Sequence, residues 1–168
     1  MLAMLAHAAA LAAAQAAAPA PCPTSPAPLP AMLSGWRQSA PVAAAQNTRG
    51  VSRAMLPIGT SVRAALHPFA ELAFTVPPPP KASSPAAQGG LFAFSITRPG
   101  RYRVALDAPA WVDVVAAGRA ATAVAHGHGP ACSGIRKMVD FDLRAGRYLL
   151  QVAGHEGSSL TLMVTPTA

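Results

Sequence analysis

The sequence predicts an all-β domain, a single antiparallel β-sandwich or jelly roll of about eight short strands. Three observations predict it. Apolar and polar residues alternate with a period of two in several segments of strand length. Turn residues separate most of those segments every ~8–12 positions, the spacing of a sandwich. Stretches with a helical period are few.

The N-terminal fifth of the chain prepares the domain. Residues 1–34 carry no charged side chain, and the first is Arg37. Met1 to Ala18 is almost wholly Ala, Leu and Met, and Ala14-Gln15-Ala16 supplies an A-x-A-like processing site. Residues 1–16 therefore read as a secretory signal peptide, though one without a basic n-region. A membrane anchor would need ~20 strongly apolar residues. Alanine contributes little transfer energy, and Pro19, Pro21 and Pro23 cut such a helix short. The expectation is a periplasmic or secreted protein with no transmembrane helix in the mature chain. Pro21 stands where a lipobox needs Gly or Ala before its cysteine, which argues against lipid on Cys22. Residues 17–34 form a spacer in which Pro alternates with Ala, Ser and Thr, a composition that favours extended, solvated backbone. The sandwich is expected over residues 35–168.

From Gly35 to Ser61 the pattern is ambiguous, and short strands or loops are expected around Trp36, Val42, Leu56 and Ile58. Glu71 to Val76 reads as a strand that the prolines at 77–80 end. Lys81 to Gln88 is a Pro, Ser and Ala loop. Leu91–Thr97 and Arg101–Leu106 follow as strands, the second turning Tyr102, Val104 and Leu106 to one face. Trp111–Val115 and Ala120–Ala125 come next. In Met138–Leu143, Val139, Phe141 and Leu143 face one way and Met138, Asp140 and Asp142 the other. Arg147–Val152 and Leu160–Thr165 complete the set. An internal echo, Arg98-Pro-Gly-Arg-Tyr102 and Arg144-Ala-Gly-Arg-Tyr148, closes a turn and opens a strand with an inward Tyr.

This unit resembles the bacterial pre-peptidase C-terminal type of β-sandwich over about residues 90–165. The resemblance implies an exported domain without catalysis of its own that assists adhesion or substrate contact.

The formal charge is +7, from 13 Lys and Arg against 6 acids. A basic exported protein favours acidic polysaccharide, lipid headgroups or nucleic acid. The basic residues are scattered, however, and aromatics are only 5% of the chain. That is too few for stacking platforms, so nucleic-acid binding is not expected.

One constellation stands out, Ala125-His-Gly-His-Gly-Pro-Ala-Cys132. His126 and His128, two apart on extended backbone, point to one side and could present nitrogens to one metal ion. Cys132 reaches the same place from the next turn, with Asp140, Asp142 or Glu156 as oxygen donors; Fe, Zn and Cu suit such a set. The alternative use of Cys132 is a disulfide with Cys22, the only other cysteine, which would strap the spacer to the domain and stabilise it by ~4 kcal/mol. The two proposals compete for one sulfur. Arg136 and Lys137, near Asp140 and Asp142, are a candidate anion contact or simple charge pairs across a strand.

The His-x-His-x-x-x-Cys spacing is similar to the first cupin motif, with Cys132 at the carboxylate position, but His155 does not match the second motif. The same run, joined to Ser133-Gly-Ile-Arg-Lys-Met-Val-Asp-Phe141, resembles short exported proteins of sphingomonad-type bacteria associated with the name homogentisate 1,2-dioxygenase. That resemblance implies a non-haem Fe(II) enzyme opening an aromatic ring with O₂. Its facial triad needs two His and a carboxylate; His126 and His128 could serve, and no carboxylate is clearly placed as the third.

The leading expectation is an exported non-catalytic accessory or envelope-binding module without a cofactor. The alternatives are that iron oxygenase and a periplasmic metal-binding protein using the His-Gly-His loop.

Overall fold

The computed structural model describes Cys22 and residues 28–167; the expected signal peptide and most of the spacer lie outside the described residues. In chain order the strands are β1 (Ala40–Ala43), β2 (Val62–Ala65), β3 (His67–Pro68), β4 (Gln88–Ile96), β5 (Gly100–Leu106) and β6 (Trp111–Ala116). They continue with β7 (Arg119–Ala120), β8 (Ala123–Gly127), β9 (Lys137–Leu143), β10 (Gly146–His155) and β11 (Ser159–Pro166). That is more than the eight expected, and the surplus consists of two- to four-residue pieces at the sheet margins.

The protein is an all-β sandwich. One sheet has the order β1-β2-β11-β5-β9-β8, the other β3-β4-β10-β6-β7. Every pairing is antiparallel except β1 with β2, which run parallel. Between the sheets lie Phe92, Phe94, Val104, Phe141, Leu150 and Leu162, each at most 2% exposed. The two predicted alternations hold: Tyr102, Val104 and Leu106 are buried together, as are Val139, Phe141 and Leu143. A core of this kind, built on inward residues two apart, is what fixes strand register.

The predicted strand at Glu71–Val76 is not one. Phe69–Glu71 is a 3-10 turn, and the chain then runs on without a neighbouring strand. Leu72 and Phe74 still pack on the core, so the alternation was real. The missing ladder is replaced by the Ala73 N–H donating to the Gln46 carbonyl at 2.8 Å and by one side chain. Gln151, 1% exposed on β10, accepts the Thr75 and Val76 N–H groups at 2.7 and 3.2 Å and donates to the Val76 carbonyl at 2.9 Å.

The spacer boundary expected at 34/35 falls inside a 3-10 helix, Ala31–Arg37. Leu33 and Trp36 bury against Ala105, Ile135 and Met163, on the side of the six-stranded sheet away from the main core. Thr165 donates to the Met32 carbonyl at 2.9 Å, and Ser61 to that of Trp36 at 2.8 Å. The Trp36 indole N–H reaches the Ser133 carbonyl at 3.1 Å. Cys22 and Cys132 form a disulfide across 110 positions, with Cα atoms 5.5 Å apart. Helix, loop 129–136 and disulfide together make a strap over the outer face of that sheet.

The echo is structural. Tyr102 donates its hydroxyl proton to the Arg98 carbonyl at 3.0 Å. Tyr148 does the same to the Arg144 carbonyl at 2.8 Å and accepts the Arg144 N–H at 3.1 Å. Each tyrosine thus bolts its own turn four residues back. Among the described residues no helix is long and apolar enough to cross a membrane.

Candidate functional site

Strand β8 forms one edge of its sheet and faces the β6–β7 margin of the other, leaving the sandwich open along that side. His126 pairs in register with Val139, a core residue. Cross-strand partners share a face, so the imidazole lies on the inner side at the open edge and is exposed there. Three adjoining hollows, of about 420, 350 and 220 Å³, share His126 and Lys137 and make up a groove. His128 and Arg136 line one end, Trp111 and Lys81 the other.

The predicted residues separate into two groups. His126 and His128 do come together, and His128 Nδ1 lies 2.8 Å from the Arg136 carbonyl, which leaves Nε2 open. Cys132 does not join them, because its sulfur is bonded to Cys22 on the strap side of the loop. It takes a left-handed backbone at φ 60°, and Gly134 follows at φ 77°, which turns the loop sharply away from the histidines. The proposed oxygen donors are also engaged or elsewhere. Asp140 makes a two-bond pair with Arg103 at 2.7 Å each, and Asp142 pairs with Arg101 at 2.8 Å. Both partners sit on β5, so the carboxylates do not neutralise Arg136 or Lys137. Glu156 lies in the turn between β10 and β11. Among the described residues no group of three or more His, Cys, Asp or Glu side chains is gathered to hold a metal ion. A facial triad of two His and a carboxylate is not completed here, and the residues present do not fit the iron centre of a ring-cleaving dioxygenase. His155 is a corner piece: its ring nitrogens lie 3.3 and 3.1 Å from the carbonyls of Pro109 and Ser159.

Lys137 lies beside an aromatic ring. Its ammonium donates to the Ala110 carbonyl and lies 5.9 Å from the centroid of the Trp111 ring. Lys81, from the loop after the four prolines, lies 5.0 Å from the same centroid. These are the only two lysines in the chain. Cations are attracted to the electron-rich face of an indole. The indole N–H is occupied below by Asp113 at 2.8 Å. Burial pushes the Asp113 carboxyl up, and the bond from Trp111 partly restores it. Burial, then repulsion by Lys81, pushes the Lys137 ammonium down.

Of this cluster, sequence reasoning found His126, His128, Arg136 and Lys137 and missed Lys81, Trp111 and Asp113. Trp111 and Asp113, two apart on one strand face, left a legible signal. Lys81 left none, since only the path of its loop brings it 30 positions forward onto Trp111.

The chain matches no protein-family model, and no curated protein resembles it significantly.

Proposed function

We propose that this protein is an exported, non-catalytic β-sandwich that serves as an accessory or envelope-binding module in the periplasm or outside the cell. Its ligand lies in the groove along the open edge of the sandwich. One observation carries this reading: the groove gathers an aromatic ring, both lysines, an arginine and two exposed imidazoles in a single open cleft. Open clefts with a few convergent polar groups are the usual form of a ligand site. The disulfide supports export, because such bonds persist in oxidising compartments. The test is sedimentation of the purified mature protein with isolated cell envelopes. The wild type is expected to pellet, and His126→Ala with Arg136→Ala to pellet several-fold less. Equal sedimentation of both, or none by either, refutes the reading.

A second reading, a periplasmic metal-binding protein, is favoured by one contact. The Nδ1 of His128 faces a carbonyl, the orientation that outer-shell partners impose on metal-bound histidines. Metal content of the wild type and of a His126→Ala, His128→Ala variant decides it. Stoichiometric zinc or copper lost in the variant supports it, and equal metal content in the two overturns it.

A further inference from the structure

The groove holds an electrostatic arrangement that the fold does not neutralise. Lys81 and Lys137 converge on one ring although they repel each other. Among the described residues the ion pairs join Arg101 to Asp142, Arg103 to Asp140 and His67 to Glu71; none uses either lysine. Asp113 is the acid nearest this ring in the structure, and it is bound to the indole N–H rather than to an ammonium. Lys137 spends one of its three protons on the Ala110 carbonyl, and Lys81 makes no hydrogen bond among the described residues.

We propose that the groove binds a linear acidic polysaccharide, whose carboxylates lie between Lys81 and Lys137 and whose chain continues past His126 towards Arg136. This rests on the binding-module reading above and names its ligand. Three features select a charged sugar polymer. The cations are distributed along the cleft, with Lys81 at one end, Lys137 lining all three hollows and Arg136 at the other end. A ligand with repeated charges satisfies that arrangement better than a single small anion. The neutral His126 ring has one donor and one acceptor nitrogen, and His128, whose Nδ1–H is held by the Arg136 carbonyl, offers Nε2 as an acceptor, which together suit sugar hydroxyls. Among the described residues the large exposed apolar side chains are Met55, Ile58 and Val124, and none lines the groove. A membrane surface therefore finds, among the described residues, no exposed aliphatic anchor beside the lysines.

The probe is a polygalacturonate oligomer, titrated calorimetrically into the disulfide-bonded protein at low and high salt, with neutral dextran and phosphatidylglycerol vesicles as comparisons. The oligomer is expected to bind, to bind more weakly at high salt, and to leave dextran unbound. Lys81→Gln removes an exposed side chain with no hydrogen bond, so it tests the site without disturbing the fold. It is expected to weaken binding about tenfold, and Lys81→Gln with Lys137→Gln to abolish it. Unchanged affinity in Lys81→Gln, or binding to vesicles and not to the oligomer, overturns the proposal. If envelope sedimentation persists while the oligomer fails to bind, the ligand class is wrong and the module reading stands. If both fail, both are wrong.

Discussion

At the scale of single residues, one buried and two half-buried polar side chains set testable limits on the fold. Gln151 stands in for a neighbouring strand at Thr75 and Val76, and Gln151→Leu would leave their backbone groups without it. Stranding such groups costs roughly 3 kcal/mol in total, a large share of the ~5–15 kcal/mol that holds a domain together. Denaturant melts should show that loss, with amide exchange accelerating first at residues 72–76; a variant as stable as wild type would refute the role. Asp113 and Lys137 work through pH. Burial, the larger influence, raises Asp113 above its ordinary 3.8, so the folded chain holds that proton more tightly than the unfolded one. Its contribution is most favourable below 3.8 and declines as pH rises through the raised value. Asp113→Asn keeps an acceptor for the indole and removes the charge. Its melting temperature at neutral pH should exceed that of wild type, and its acid-to-neutral profile should be flatter; an unchanged profile contradicts this. For Lys137, burial and then Lys81 lower the folded value below 10.5. Stability should therefore rise as pH climbs through the folded value and level off above 10.5, and Lys137→Gln should erase that rise.

At the scale of elements, what was legible in the sequence was local. The strands from Leu91 onward follow from alternation and turn residues, which depend on neighbours a few positions apart, and the structure has all but one within a few residues; the expected strand Ala120–Ala125 is split between β7 and β8, on different sheets. Leu72–Val76 alternates equally well and is not a strand, because its partner is a side chain 75 or more positions away. The 3-10 helix at Ala31–Arg37 was hidden among prolines, since what orders it is burial of Leu33 and Trp36 on a distant sheet. The groove divides in the same way: the His-Gly-His spacing was visible, and the approach of Lys81 to Trp111 was not. The cysteine pairing was legible because the chain offers only two. Replacing both by serine should cost about 2–5 kcal/mol. Exchange protection should fall at 31–37 and 129–136 while β4 and β10 keep theirs. Loss of protection throughout the sandwich would show that the strap is instead part of the core.

At the scale of the whole molecule, sheet order matters more than sheet content. The last two strands, β10 and β11, each stand third in their sheets, with β10 between β4 and β6 and β11 between β2 and β5. Residues before Gly146 thus supply margins and flanks for two sheets whose middles arrive at the end. A chain stopped after Leu143 should show no cooperative unfolding transition by circular dichroism, whereas a cooperative melt would mean that the earlier strands form a core unaided. Long-range pairing of this kind is slow to nucleate, because distant segments must meet before any contact is rewarded. A polypeptide that emerges from its N-terminus during synthesis consequently has no stable shape to adopt until almost all of it is available. It stays threadable for that whole interval, and locks only when the late-arriving centre brings together the flanks and the two cysteines 110 positions apart.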